Sequence, residues 1–359
     1  MRMEKIREAL HQIPELGYQE YKTKRYILSH LQQMHCTIHE VGATALLAYF
    51  DLQREKTIAI RCEMDGLPIV EQTGVEYIST HPNTMHACGH DAHMAVIVEL
   101  GYFLSEHPKE CVNNVLLVFQ AAEESRGGAL EICESGYLEK YQVSMMLGAH
   151  IWPTLPEGVM YSRGDALLAS SSEVDIQVVG KSVHVAQYDQ GIDALVASAE
   201  LIVLLHEAMH SYQDSVFHIG MCQGGSARNI VASRCCLSGT LRSFDESSRA
   251  CVIEKIEELV RYIDQKYHTV TSLEIQPCHP VLFNSHALFQ KIQSVYPLQE
   301  CIPYYQSEDF GYYTQHCPTL YTLLGYGDAH TLHSPHYLPQ IHLLQIMYEY
   351  YKVWITNSL

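Results

Sequence analysis

Short apolar runs alternate with helix-periodic segments through the first part of the chain. The runs at 45–50, 57–61, 115–120 and 143–150 are each too short for a lone helix, and a helical pattern at 94–106 separates two of them. Strands that alternate with helices favour a sheet with helices on its faces. The sequence therefore predicts an α/β domain. Before these runs, a helical period broken at Pro14 and Gly17 predicts two helices.

The pattern changes at Ser170. From there to about residue 280 the segments follow the order β-α-β-β-α-β, with helices predicted at 194–210 and 246–267. This is the ferredoxin-like order of a four-stranded antiparallel sheet with two helices on one face. Since 359 residues exceed the ~250–300 at which single cores stop growing, we expect a discontinuous domain, 1–169 with 281–359, interrupted by an inserted domain, 170–280.

Composition limits the class of partner. The formal charge is −18, and the 23 Lys and Arg residues are scattered. Such a field repels both nucleic acid and an anionic membrane. The amino-terminal segment has no signal-peptide run, and no stretch approaches ~18 consecutive apolar residues. We expect a cytoplasmic protein that binds neither nucleic acid nor membrane.

The segment "MHACGHDAHM" at 85–94 is rich in possible metal ligands. Cys88 and His90 lie two residues apart, so both side chains can converge on one ion in an extended turn. A thiolate and an imidazole suit zinc, and cobalt or manganese if carboxylates join them. A buried free cysteine beside helix-capping histidines is the plain alternative.

Further candidate ligands follow the predicted strands. Glu123 and Glu124 come after the run at 115–120, His150 ends another run, and His333 follows a third with His330 nearby. Each alone is ordinary, as a solvated edge or a loop histidine. Together they lie where α/β sheets place their sites. One glutamate could bind a metal while the other accepts a proton from water whose pKa the metal lowers towards ~7, which predicts hydrolysis.

Several motifs in order resemble one family across nearly the whole chain. It is that of the dinuclear metallopeptidases and aminoacylases, in the branch of hippurate hydrolases, auxin-conjugate amidohydrolases and N-acetyldiaminopimelate deacetylases. The resemblance implies a zinc-peptidase-like catalytic domain with a mixed sheet, and an inserted lid or dimerisation domain. The motifs are "LHQIPELGYQEYKT" (10–23), "IRCEMDGLPI" (60–69), "MHACGHDAHM", "FQAAEE" (119–124), "GAHIWP" (148–153), "GKSVHVA" (180–186), "LSGTLRSFD" (237–245), "SEDFGYY" (307–313) and "LHSPHY" (332–337).

The resemblance assigns roles position by position. Glu123 would be the general base. Asp65 would orient a metal ligand by contacting that ligand rather than the metal. Two divalent cations, Zn²⁺ or Mn²⁺, with Co²⁺ as a further alternative, would be held by five residues: Cys88, His90, Glu124, His150 and His333.

The inserted domain would supply substrate contacts. By resemblance, His184 would stabilise the oxyanion, in some relatives across a dimer interface. Asn229 and Arg242 would hold the free carboxylate of the substrate, a task for which the arginine fork is suited. The plain alternatives are a turn asparagine and an arginine on a sheet face. A homodimer through this domain is left open.

The chain departs from the family pattern in three places. Glu63 stands where relatives have an aspartate, and Tyr188 and Asp189 replace a proline and a histidine after His184. A shortened glycine run places Arg126 near the predicted site. A cation there could favour a second acidic group on the substrate.

Three functions follow from these residues. The first is hydrolysis of N-acyl amino acids, with N-acetyldiaminopimelate preferred over auxin conjugates, hippurate and N-acetylcysteine. The second is a carboxypeptidase or dipeptidase on the same metal pair. The third is a metal-binding scaffold without activity, since a fold alone does not guarantee catalysis.

Overall fold

The computed structural model describes residues 2–125, 127–327 and 330–359, which form two compact units. The larger unit contains the chain up to Leu167, Phe283–Ile302 and Asp309–Leu359; the smaller contains Leu168–Leu282 and Pro303–Glu308. The segment 303–308 was predicted to belong to the discontinuous domain. It groups with the smaller unit because the Ala169 N–H donates to the main-chain oxygens of Tyr304 and Gln306, at 3.1 and 3.0 Å.

The helices and strands follow the alternation in the sequence. Before the smaller unit, the elements are α1 (Arg2–His11), α2 (Tyr21–Leu31), β1 (Thr37–Val41), β2 (Ala45–Phe50), β3 (Thr57–Glu63), α3 (His90–Glu106), β4 (Asn114–Gln120), α4 (Gly128–Glu134), α5 (Tyr137–Lys140), β5 (Val143–Trp152), β6 (Met160–Ser162) and β7 (Asp165–Leu168). Next come β8 (Ser170–Val179), a 3₁₀ helix (Val185–Gln190), α6 (Ala194–Met209), β9 (Ser215–Gly224), β10 (Arg234–Ser243), α7 (Glu246–Tyr267) and β11 (Val270–His279). The chain ends with β12 (Leu282–Asn284), α8 (His286–Gln293), β13 (Leu298–Glu300), a 3₁₀ helix (Asp309–Gln315), β14 (Thr319–Gly325) and α9 (Ile341–Thr356).

The larger unit is built on a mixed eight-stranded sheet in the order β1-β2-β4-β3-β5-β14-β6-β13. Strands β4, β3, β5 and β14 are parallel to their neighbours in this series. Strands β1 and β2 pair antiparallel, and β2 is antiparallel to β4, while β6 is antiparallel to β14 and parallel to β13. Every residue of β3, β4 and β14 is buried, as expected for strands covered on both faces. The α/β prediction is confirmed, and the parallel strands end at one edge of the sheet.

The smaller unit has the predicted ferredoxin-like order. Its sheet runs β11-β8-β10-β9, with every neighbouring pair antiparallel. Along β8 the side chains of Val174, Ile176 and Val178 are buried in alternation with more exposed ones, which is the period of a strand with one covered face. Aspartates cap both helices: Asp193 accepts from the first turn of α6, and Asp245 from that of α7.

Across the described ranges of the chain, no helix is both long enough and apolar enough to cross a membrane.

Candidate metal centre

Four segments of the larger unit carry the predicted ligands to the carboxyl end of the parallel strands. Cys88 lies directly before Gly89, the amino-terminal cap of α3. Gly89 has φ +83°, a conformation that suits glycine. Glu124 lies just after β4, and His150 lies within β5, two residues before its end. His333 follows β14 and its N–H donates to the main-chain oxygen of Ala87 at 3.0 Å, which ties the last segment to the first.

The five predicted ligands form two donor triads that share Cys88. One triad is Cys88, His90 and His150; the other is Cys88, Glu124 and His333; within each, the donor atoms lie within 4.8 Å of one another. The Cys88 Sγ lies 3.3 Å from His150 Nε2, and His333 Nε2 lies 3.0 Å from Glu124 Oε1. Donor atoms bound to one zinc ion at about 2.0–2.3 Å have separations of this order.

In both histidines of the first triad, Nε2 is the ring nitrogen left to bind a cation. His90 Nδ1 donates to the main-chain oxygen of Asp65 at 2.8 Å, and His150 Nδ1 donates to that of Ile151 at 2.8 Å. A carbonyl can only accept, so Nδ1 carries a proton in each ring, and Nε2 is the nitrogen that would face a cation. This arrangement fixes both rings and their tautomers.

Two buried atoms of the cluster have no hydrogen-bond partner among the described residues. They are His90 Nε2 and Asp65 Oδ1, and Asp65, His90 and Glu123 form a further group with donor atoms within 4.8 Å. A buried polar atom without a partner costs about 1–3 kcal/mol. A cation beside the cluster would satisfy the His90 nitrogen, so the residues present fit a metal centre.

The charges of the cluster fit as well. Burial, with the nearby Glu124 and Glu123, raises the pKa of the Cys88 thiol well above its ordinary value, so a thiolate there requires a cation beside it. Burial also acts to raise the pKa of Glu124, but its interactions with the histidines, the hydrogen bond from His333 foremost, outweigh this and lower the pKa to about 2. Glu124 is therefore a carboxylate, the form that binds metal.

Asp65 contacts both sides of the cluster. Its main-chain oxygen accepts from His90, and from His86 Nδ1 at 3.2 Å, while its Oδ2 accepts from the Glu124 N–H at 3.0 Å. Asp65 thus connects the motif before α3 to the turn after β4. This supports the proposed orienting role.

Glu63 lies in a buried ion-pair network. It accepts from Arg61, and from His93 Nδ1 at 2.8 Å. Burial opposes its ionisation, but the Arg61 charge and the hydrogen bond from His93 outweigh this and hold the Glu63 pKa well below its usual range. Arg61 also pairs with Asp309 at 2.8 Å. In the part of the chain that the structure describes, Glu63 belongs to none of the donor groups. At this position, where relatives have an aspartate, the carboxylate therefore pairs with Arg61 and His93 rather than with a metal site.

His93, in the same motif, belongs to none of the donor groups found among the described residues. The Ile151 N–H donates to its Nε2 at 3.2 Å, so the proton is on Nδ1, which donates to Glu63. Both nitrogens are thus used within the protein. The spacing in "MHACGHDAHM" does not show which of its histidines has this structural role.

The predicted substrate contacts lie in the smaller unit. His184 is exposed, and its Nδ1 accepts from the Ala186 N–H at 3.2 Å. Asn229 is exposed on the neighbouring segment, where its main-chain oxygen accepts from the Val185 N–H at 3.0 Å. Arg242 is half-buried in β10 and donates to the Ser307 hydroxyl. Their roles toward a substrate stay predictions.

The remaining positions named in the sequence analysis take no part in the donor groups of the described residues. Tyr188 and Asp189 are exposed in the 3₁₀ helix after His184. The ring of His330 lies 5.6 Å from that of the exposed His336 in a tilted arrangement, and His330 belongs to none of the donor groups found in the described ranges. Arg126 lies outside the described residues.

A buried charge network supports the start of α3, and the sequence reading missed it. His11 is 1 % exposed, and its ring donates to Asp91 and to Glu71, each at 2.9 Å. Arg7 pairs with the same Asp91 at 3.1 Å and donates to the main-chain oxygen of Pro339 at 2.5 Å. Helix α1 thereby connects α3, which begins at the candidate ligand His90, to the segment that follows His333. The motif at 10–23 contains His11, but its spacing gave no sign of these partners.

The His11 pair predicts a pH-dependent stability. Burial acts to lower its pKa, but Asp91 and Glu71 outweigh this and raise the pKa to about 9, against about 6.5 in an unfolded chain. The contribution is therefore complete below about pH 6.5 and is lost as the pH rises through about 9. We expect it to amount to about 3 kcal/mol, at about 1.4 kcal/mol for each unit of pKa.

Urea unfolding at pH 6.5 and 9.5, at one fixed cation concentration, measures this loss. The decrease in the free energy of unfolding should be distinctly smaller in His11→Gln than in the wild type. Replacing the exposed His35 with glutamine is the matched control and should leave the decrease unchanged. An equal decrease in all three proteins would contradict the assignment to His11.

Comparison with known proteins agrees with this geometry. The profile of "Peptidase family M20/M25/M40" matches residues 59–357. The chain is 34% identical over 353 residues to an N-acetyldiaminopimelate deacetylase of Bacillus licheniformis, covering 95% of this chain and 94% of the relative. It is 32% identical over 366 residues to the N-acetyldiaminopimelate deacetylase of Bacillus subtilis (strain 168), covering 97% of each.

A solved structure matches the whole fold. The crystal structure of the Bacillus subtilis YXEP protein, a dinuclear metal-binding peptidase of the M20 family, superposes with a TM-score of 0.86 at 27% identity. The match covers 98% of this chain and 95% of that one. The family resemblance and the enzyme class predicted from the motifs are confirmed. The chain therefore belongs to the peptidase family M20/M25/M40 and is a hydrolase that acts on amide bonds.

Proposed function

We propose that this hydrolase removes the acyl group of N-acyl-L-amino acids, with N-acetyldiaminopimelate as its substrate. The observation that carries the proposal is the pair of donor triads sharing Cys88, with the carboxylate of Glu123 beside them. The curated relatives described above support the substrate, since both are N-acetyldiaminopimelate deacetylases.

We propose Cys88, His90, Glu124, His150 and His333 as the ligands of two divalent cations. When bound, the cations would lower the pKa of water and polarise the scissile carbonyl. The Cys88 thiolate favours zinc, while imidazoles and carboxylates also admit manganese or cobalt. The dinuclear centre of the YXEP protein supports the number.

Glu123 has the placement of a general base. It is 8 % exposed, and its Oε2 lies 3.8 Å from His90 Nε2, at the edge of the cluster. Glu123 takes a proton from the attacking water as the new C–O bond forms. It returns that proton to the nitrogen as the C–N bond breaks, so that acetate and a free amine leave. Glu124, held by His333, is left to bind a cation.

The smaller unit would supply the remaining contacts. In the proposed reaction His184 stabilises the oxyanion, and Arg242 with Asn229 holds the substrate carboxylate. The donor character of all three side chains supports these roles. Whether His184 acts in its own subunit or in that of a partner follows from the oligomeric state.

A homodimer through the smaller unit is part of the proposal. Helix α6 exposes apolar side chains, with Leu195, Val196 and Val203 at 44, 50 and 54 % exposure, and such a group of surface residues is typical of an association surface. Light scattering on the purified protein should give twice the monomer mass, and Val203→Glu should shift it to the monomer. A monomer in the wild type would contradict this part of the proposal.

Steady-state kinetics over a substrate panel tests the activity. The panel contains N-acetyldiaminopimelate, other N-acetyl and N-benzoyl amino acids, and the matching dipeptides. Each substrate is measured with added Zn²⁺, Mn²⁺ or Co²⁺. We expect the highest kcat/KM for N-acetyldiaminopimelate. Faster turnover of benzoyl than of acetyl substrates would overturn that substrate, and faster turnover of dipeptides would favour a peptidase.

A further inference from the structure

Glu20 is a buried carboxylate to which the sequence reading assigned no role. It directly precedes α2 and is 0 % exposed. Its Oε1 accepts from the Ala122 N–H at 2.8 Å, and its Oε2 accepts from the Thr44 hydroxyl at 2.6 Å. A single side chain thus connects the start of α2 and the beginning of β2 to the turn after β4.

The turn that Glu20 contacts is conformationally unusual. Ala122 has φ +53°, in the left-handed region, which costs a residue with a Cβ about 1 kcal/mol or more unless its surroundings hold it there. The next two residues are Glu123 and Glu124. The backbone conformation at Ala122 therefore sets the direction of the chain, and hence of both glutamate side chains, after the end of β4.

Two carboxylates hold this turn, one on each side of Glu123. Glu20 accepts from the amide of Ala122, and Asp65 Oδ2 accepts from the amide of Glu124 at 3.0 Å. A carboxylate that accepts from a backbone N–H forms a stronger hydrogen bond than a neutral acceptor does. Asp65 belongs to one of the donor groups, whereas Glu20 is in none of those found among the described residues, so Glu20 contacts this turn only through the Ala122 amide.

The segment before Glu20 packs directly against the same turn. A Cβ added to Gly17 would lie 2.5 Å from Ser125 Oγ and 3.1 Å from Ala122 Cα. Only a residue without a side chain permits this approach. The close packing leaves the Glu20 carboxylate little freedom to leave the Ala122 amide.

We propose that Glu20 is a positioning residue: its hydrogen bond fixes the left-handed turn at Ala122 and thereby aims Glu123 and Glu124 at the donor triads. The inference rests on the roles given to these two glutamates under the proposed function. A glutamine at this position has the same shape: its oxygen can accept from the Ala122 N–H, and its amide nitrogen can donate to the Thr44 hydroxyl oxygen.

Two substitutions at Glu20 test the proposal. Glu20→Ala removes the acceptor, and we expect kcat to fall about 10–100-fold with KM nearly unchanged, the range associated with misplacing a catalytic group by about 1 Å. Equilibrium dialysis with Mn²⁺ should show an affinity about tenfold weaker, because Glu124 is misaligned too. Glu20→Gln retains an acceptor for the Ala122 amide and should remain within about threefold of the wild type in both measurements, a factor corresponding to less than one hydrogen bond.

The outcomes separate positioning from general stability. If Glu20→Ala lowers the melting temperature but leaves both kcat and Mn²⁺ affinity unchanged, Glu20 is only structural and the proposal is overturned. If Glu20→Gln is as impaired as Glu20→Ala, the charge rather than the hydrogen bond matters, which overturns it as well.

A milder variant keeps the test decisive if Glu20→Ala does not fold. Thr44→Val removes only the hydroxyl that anchors Glu20, and we expect a smaller loss in the same two measurements; no loss in either would overturn the proposal. The dialysis needs no substrate. A wild type that binds Mn²⁺ without hydrolysing any amide would therefore contradict the proposed function while still testing Glu20.

Discussion

Glu123→Ala is expected to lower kcat for N-acyl amino acid hydrolysis by about 10³-fold while the protein retains its cations, within the range of about 10²–10⁴ that general acid–base groups contribute. Glu123 belongs to neither triad that shares Cys88, so both triads remain complete without it. The substitution would remove the group that we propose moves the proton from water to the leaving nitrogen. Measuring kcat together with bound metal by elemental analysis separates the two effects.

The neighbouring glutamate provides the matched control. Glu124 lies in the triad with Cys88 and His333, so Glu124→Ala should lose bound metal as well as turnover. If Glu123→Ala turns over substrate at the wild-type rate, the base is another residue. If wild type and Glu123→Ala are equally inert with every metal, the chain is a metal-binding scaffold.

Cys88→Ala is expected to produce the second large effect, the loss of metal from both triads at once. Cys88 is the donor that the two triads share, whereas His150 and His333 each belong to one. With cation chemistry worth several kcal/mol in the transition state, turnover should fall by about 10³-fold or more. Elemental analysis and kcat measured on the same preparation check both consequences.

His333→Ala is the control for Cys88→Ala. It removes one donor from one triad, so it should weaken the binding of one cation and spare the other. Cys62→Ala replaces a buried thiol that lies in none of the donor groups of the described chain, and it should retain full metal content. A Cys88→Ala protein with the metal content of the wild type would refute the shared-thiolate arrangement.

The candidate ligands were accessible to sequence reasoning because their signals are local. Cys88 and His90 share one short motif, and Glu124 and His150 lie at the ends of apolar runs that read as strands. Parallel strands bring their carboxyl ends together, so the pattern of strands also indicated proximity. The ferredoxin-like order was accessible for the same reason, since its strands and helices alternate with clear periodicity.

The supporting residues were not accessible because their partners are remote in the chain. Glu20 meets Ala122, 102 residues away, and His11 meets Asp91, 80 residues away. Neither residue lies in a periodic pattern that indicates a buried charge, and charged residues are usually exposed. The grouping of residues 303–308 with the smaller unit depends likewise on backbone hydrogen bonds to Ala169, which no local propensity specifies.

The central claim is that two divalent cations share the Cys88 thiolate. A crystal structure of the protein grown with Mn²⁺, with anomalous diffraction measured at the manganese edge, tests it most directly. We expect two anomalous peaks, one among Cys88, His90 and His150 and the other among Cys88, Glu124 and His333. A map without a peak at either triad, or with manganese only elsewhere on the protein, would contradict it.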